Sequence, residues 1–368
     1  MTTPRQARIP ALALAVLVIM AAPSASAVEG AKPDDVARFL AGLQPAAGSP
    51  IAHLTREPAW QQHAKALDTI WAGLDERQLS RIRAWSAANL TQPQPVVFYM
   101  FSGPDFLYAD AFFPNRSTYV LSGLEPVGKL PVLTPASRHI LSPGLAGLRA
   151  SMGSLVSYSF FITKVMKTDL TTSTFKGTLP LLYIFLARSG KKIHEVSFVS
   201  IDKDGAVVPA GPEGAQGFAH GAKIVFSGSE GRLQTLYYFQ TDISDYGLRR
   251  SAFLKFCEAL GNADGFIKSA SYLMHSDSFS RVREFLLTRS GTLVQDDSGI
   301  PLRYFKSDEW QLRPFGRYLG PISEFPDRYQ VNLTSLFHRS NPPRLDFGVG
   351  YRWRPNESNL LLAVKKPK

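Results

Sequence analysis

The sequence predicts an α+β fold, in which a helical N-terminal region precedes a mixed or antiparallel sheet with packed helices. Two observations carry this. Segments with helical periodicity and short β-branched or aromatic runs occur in separate blocks, not in strict alternation. The chain also has 368 residues, 45% of them hydrophobic, enough to bury about three quarters of its unfolded surface without disulfide staples. This composition excludes a disordered chain, and a single cysteine excludes a disulfide framework.

Residues 1–27 read as a signal peptide. Arg5 and Arg8 supply the positive start and an apolar run extends from Ile9 to Ala22. Ala25-Ser26-Ala27 is an A-x-A cleavage site, so the mature chain is expected to begin at Val28. The apolar run is shorter than the ~20 residues of a spanning helix, and no later segment is long enough to span a membrane. The formal charge of +11 falls by the two arginines on cleavage. With its lone Cys257, the exported protein is expected in a bacterial periplasm or exterior.

Residues 28–92 form the helical region and 93–368 the α+β main domain. Asp34 or Asp35 is expected to cap a first helix ending near Leu43, and a second covers about Ala59–Trp71. Asp75 and Gln78 have capping-box spacing and open a third through Trp85. Thr91-Gln92-Pro93-Gln94-Pro95 breaks the pattern. The run Val96–Phe101 then predicts a buried strand, and Thr118–Leu121 a second. Helices follow over about Leu148–Val165 and from Thr178 to the stop at Gly190. Lys192–Ile201, Ala206–Val208, Lys223–Phe226 and Leu233–Gln240 read as strands. Ser251 is expected to cap a helix that buries Phe253, Phe256, Cys257 and Leu260. Asp264 opens the next, to about Met274, and a third spans about Phe279–Leu287. Thr292–Val294, the alternating Leu345–Trp353 and Leu360–Val364 complete the expected strands.

Several patterns fail chemical tests. Cys257 lies on an apolar helix face, where a thiol stays protonated and inert. The seven histidines show no metal-ligand spacing, and no metal or other cofactor is expected. Asp202, Asp204 and Glu213 match calcium-loop positions, but Ala206 and Val207 stand where an oxygen ligand and a glycine belong. A hairpin turn accounts for them better. Ser227-Gly228-Ser229-Glu230-Gly231 lacks the first glycine of a nucleophile elbow and joins two strands. Ser271 and His275 share a helical face on this reading, with Asp277 beyond, but one short segment is a poor source for a triad.

Two features carry chemistry. Asp105 follows the most apolar strand, and Asp296 and Asp297 follow Thr292–Val294. Carboxylates at strand ends can converge in a cleft and perturb each other's ionisation, as in a glycosidase. They are the expected catalytic residues of a hydrolase acting on a glycan or related envelope polymer. The other feature is aromatic. Eight Phe or Tyr fall within residues 98–119, and arginines interleave with rings from Tyr304 to Trp353. Residues 300–368 hold twelve Lys or Arg against six acids. Arg313, Arg317, Tyr318, Arg328 and Tyr329 are the expected ligand-binding residues, by stacking and bidentate bonding. A basic chain of this kind also suits nucleic acid, but export argues against that partner. An anionic or carbohydrate-like envelope component fits the compartment, and binding it is the leading expectation. A membrane barrel is not expected, because the ~10-residue alternation does not repeat.

Overall fold

The computed structural model describes residues 30–158, 174–212 and 219–367. The expected signal peptide and its cleavage point lie outside them, as do the end of the helix expected to reach Val165 and Glu213 of the calcium-like count.

Among the described residues, ten strands form one mixed sheet with helices packed on both faces, within the α+β class. In chain order the strands are β1 (Val96–Tyr99), β2 (Thr118–Gly123), β3 (Lys192–Ile201), β4 (Val207–Pro209), β5 (His220–Ser227), β6 (Leu233–Gln240), β7 (Ala263–Ile267), β8 (Ser290–Gln295), β9 (Trp310–Gly316) and β10 (Asn359–Lys365). Their spatial order is 4-3-5-6-2-1-7-8-10-9. The middle five, 6-2-1-7-8, are mutually parallel. Beyond them each added strand pairs antiparallel with its neighbour, in the order β5, β3, β4 outside β6 and β10, β9 outside β8. A strand buried on both faces needs an unbroken apolar run, which is why Val96-Val97-Phe98-Tyr99 sits at the centre with every residue buried.

Alternation along β1 divides the core. Val97 and Tyr99 face a layer built from α1 (Pro33–Leu40), α2 (Pro58–Leu74), α3 (Ser80–Asn89), α4 (Phe106–Phe112), α5 (Leu141–Tyr158) and α6 (Leu179–Arg188). Val96 and Phe98 face α7 (Asp245–Arg250), α8 (Phe253–Ala259) and α9 (Ser280–Arg289). A last helix, α10 (Val331–Ser340), follows β9. Among the described residues, no helix is long and apolar enough to cross a membrane.

This arrangement creates a switch point. The β1–α4–β2 crossover lies on the first face and β7–α9–β8 on the second. Neighbouring strands β1 and β7 thus send their chains to opposite faces and opposite directions, which lets both crossovers keep the same hand. A crevice opens there, beyond the carboxyl ends of the strands, where open parallel sheets bind ligands.

Several expected elements need correction. Asp75 opens no helix: it is itself helical, at φ −62° and ψ −46°, in a π-turn that joins α2 to α3. Ser251 ends α7, and Ala252 precedes α8 with no side-chain cap. Asp264 lies inside β7, not at a helix start. There its carboxylate accepts the Gln94 amide at 3.0 Å, and Gly265 lets the Leu293 side chain pack closely, since a Cβ would stand 2.3 Å from its Cδ2. Long-range pairing with β1 and β8 decides this segment, and a local cap pattern cannot report that. The alternating Leu345–Trp353 stretch is no strand. It keeps one bridge, Val349 to Arg352, because Gly350 turns the backbone at φ +72°.

Candidate functional site

Four parallel strands deliver polar side chains to the crevice at their carboxyl ends. Asp105, just past β1, caps α4 by accepting the Tyr108 amide at 3.1 Å. Its second oxygen accepts Tyr99 Oη at 2.9 Å and pairs with Lys268 Nζ at 2.9 Å. Lys268 directly follows β7, and its ammonium also lies 4.1 Å from the Tyr108 ring centre. Both charges are almost completely buried, Asp105 at 1% exposure and Lys268 at 2%. Burial of this kind is tolerable only because each charge has a partner in hydrogen-bond range.

The next residues form an anchored, strained loop. Ser269, Ser271 and Tyr272 have φ of +52°, +49° and +53°, a region costly for side chains with a Cβ. They make up three of the five such non-glycine residues among those described. The Ser269 amide donates to Asp296 Oδ2 at 2.9 Å, Ala270 to Ser298 Oγ at 2.8 Å, and Ser271 to Tyr351 Oη at 3.0 Å. Asp296 Oδ1 also accepts the Ser298 amide at 3.0 Å and its hydroxyl. Gly350 must be a glycine here, since a Cβ would come within 2.0 Å of Asp296. Asp297 accepts Tyr272 Oη at 2.7 Å and Asn359 Nδ2 at 3.0 Å.

The sequence-predicted carboxylates therefore share one end of the sheet. Consecutive residues tie them together: Lys268 holds Asp105, and Ser269 holds Asp296. Burial pushes the Asp296 carboxyl up to about 6, and the Asp297 charge adds to that rise. Asp297 is raised as well, chiefly by burial. The hydroxyls of Tyr99 and Tyr272 are held protonated by burial and by the neighbouring carboxylates.

Above this floor lies a cleft of about 130 Å³. Its lining mixes aromatic rings (Phe101, Phe279), carboxylates (Glu125, Asp242) and the loop serines Ser269 and Ser271. Phe101 and Phe279 have ring centres 6.0 Å apart. Glu125, at the end of β2, is 2% exposed.

The arginine and aromatic residues divide. Tyr318 Oη accepts the Gln330 amide at 3.2 Å, and Gln330 Nε2 donates to the Asp297 carbonyl at 3.2 Å. Tyr318 and Tyr329 stack, with centres 6.1 Å apart. Arg317, Tyr318, Arg328 and Tyr329 thus belong to the carboxylate end of the sheet, and Tyr329 is 52% exposed. Arg328 pairs with its neighbour Asp327 at 3.3 Å. Arg313 sits inside β9 and reaches Asn89 at 3.4 Å, away from the others.

Ser271, His275 and Asp277 do not assemble. Ser271 Oγ lies 3.0 Å from Tyr351 Oη, the Asp277 side chain is fully exposed, and burial lowers the His275 imidazole to about 4. Cys257 is fully buried, and its thiol is pushed well above the usual range by burial. Asp202 accepts the Asp204 and Ala206 amides in its own turn, each at 2.9 Å.

Lys268, Ser269, Tyr272 and Tyr99 are absent from the residues singled out in the sequence. One signal was available: Lys268 abuts Gly265-Phe266-Ile267, and a lysine at the end of so apolar a run needs a buried partner. Compared with protein-family models, curated proteins and solved structures, the chain has no match.

Proposed function

We propose that this is an exported bacterial envelope protein, periplasmic or secreted after cleavage following Ala27, which binds a carbohydrate-like ligand in the carboxyl-end cleft. The lining of the cleft carries this reading. Phe101 and Phe279 offer apolar faces to a sugar ring, while Glu125, Asp242, Ser269 and Ser271 offer acceptors and hydroxyls for its edge. Mostly apolar walls with a few convergent polar groups at a switch point are the usual makeup of a small-molecule site. The buried pairs below are positioning residues that hold the strained loop. Arg317 and Arg328 lie at the same end and suit an anionic substituent on the ligand.

The test is calorimetric titration with a panel of neutral and acidic saccharides. Phe279→Ala is expected to weaken binding at least tenfold, while Arg313→Ala leaves it unchanged. Failure of every saccharide to bind at millimolar concentration overturns the proposal.

One observation favours hydrolysis of a glycan or related polymer as a second reading. Asp296 is held near a pKa of about 6, suited to proton transfer at neutral pH, and it touches the backbone of cleft-lining Ser269. Asp105 supplies the second carboxylate. Release of reducing ends from envelope glycans, abolished in Asp296→Asn, decides for this reading. Binding without release decides against it.

A further inference from the structure

We propose that a second site, on the opposite helical layer from α1–α6, binds a linear acidic polysaccharide. A groove of about 750 Å³ runs between the α7–α8 segment and α9. Six cations line it: Lys203, Arg249, Arg250, Lys255, Arg281 and Arg289. Only two acids, Glu258 and Glu284, accompany them. Among the described residues none of the six cations is in an ion pair. The groove therefore keeps an excess of four positive charges within a concave surface, where low-dielectric walls focus the field.

Regular geometry arranges these charges. Arg281, Glu284, Phe285, Thr288 and Arg289 are spaced at i, i+3, i+4, i+7 and i+8, so one face of α9 forms a wall. Arg281 and Arg289 are about 12 Å apart along the helix, which suits an extended polymer with repeated carboxylates more than a single small anion. Guanidinium groups match carboxylates in a bidentate manner. Among the described residues the one aromatic ring lining the groove, Phe285, is buried, and the exposed Tyr246 is covered by Arg250, 5.4 Å from its ring centre, so single-stranded nucleic acid finds no run of free rings to stack on. The wall also lacks an exposed apolar side chain for insertion into a lipid surface. The groove begins beside the cleft: Phe279 lines one and Arg281 the other.

The groove can be tested independently of the cleft, with polygalacturonate as the acidic probe and dextran as the neutral one. Polygalacturonate is expected to bind the full mature chain at low salt and to weaken steeply as salt rises, and dextran is not expected to bind in the groove. An Arg249→Ala/Arg281→Ala/Arg289→Ala variant is expected to bind polygalacturonate at least tenfold more weakly. Glu284→Gln is expected to bind it more tightly, which guards against a folding defect in the triple variant. Lys65→Ala, which removes an exposed charge from α2 on the opposite layer, leaves polygalacturonate affinity unchanged. Equal binding by the triple variant overturns the proposal. So does tighter binding of duplex DNA or of vesicles containing anionic lipid than of polygalacturonate.

Discussion

Strand β7 has a buried charge at each end, and the two ends are built differently. At its amino end Asp264 is 1% exposed, with Arg116 Nε at 3.6 Å and the Gln94 amide closing over it. At its carboxyl end Lys268 pairs with Asp105 at 2.9 Å. The amino end carries only a register shift against β8 between Ala263 and Asp264; the carboxyl end runs into three left-handed non-glycine residues beneath a cleft. Both ends bury charge, so burial alone does not mark a site. Strain that the surrounding bonds sustain, together with an opening above it, distinguishes the carboxyl end.

The sharpest challenge to this comparison is to cut one partner from each pair. Lys268→Met leaves Asp105 buried without its cation and is expected to cost about 3–5 kcal/mol in urea unfolding. Arg116→Met, which breaks the longer contact, is expected to cost less than half of that. The reverse order of losses would break the comparison.

The pH dependence of stability comes next in size. Burial pushes the Asp264 carboxyl up to about 6, as at Asp296. Since both pKa values lie above the unfolded value of 3.8, each group contributes stability that is complete below about pH 4 and is lost as pH rises through about 6. Asp264→Asn and Asp296→Asn are each expected to remove a decline of roughly 1–3 kcal/mol between those limits. His275, lowered to about 4, has the opposite slope, so its contribution is present above about 6.5 and is lost as pH falls through 4. The reading of the carboxyl end as the working one is sharpened if Asp296→Asn also changes the pH dependence of ligand affinity while Asp264→Asn does not.

A smaller effect is expected at Ser269. Ser269→Gly relieves its left-handed strain, offset by the flexibility glycine brings to the unfolded chain, for a net gain of up to about 1 kcal/mol by thermal unfolding. Ligand affinity should fall in the same variant, since the loop loses its fixed shape. Smallest of all, Arg313→Ala and Arg328→Ala are expected to change stability by less than about 0.5 kcal/mol, because their partners are exposed or distant.

Much of this fold is legible in the sequence. Val96–Tyr99 reads as a buried strand from its apolar run alone, and Cys257 as a buried helix residue from its neighbours. Asp105, Asp296 and Asp297 stand out as acids at strand ends. Among the elements misread, β7 contains the residue that joins them. Ala263-Asp264-Gly265-Phe266-Ile267 has an acid and a glycine where a local reading expects a helix start or a turn. Only the strands on either side make it extended.

The sequence by itself determined the secondary structure of most segments, the α+β class and which turns carry carboxylates. These follow from side-chain periodicity and turn chemistry within about ten residues, where local preference acts. The tertiary structure decided which turns meet. Parallel pairing of β1 with β7 brings Asp105 to Lys268, and pairing of β7 with β8 brings Ser269 to Asp296. Such contacts between remote segments depend on closing long loops and on burial across the whole sheet, so no window of sequence contains them.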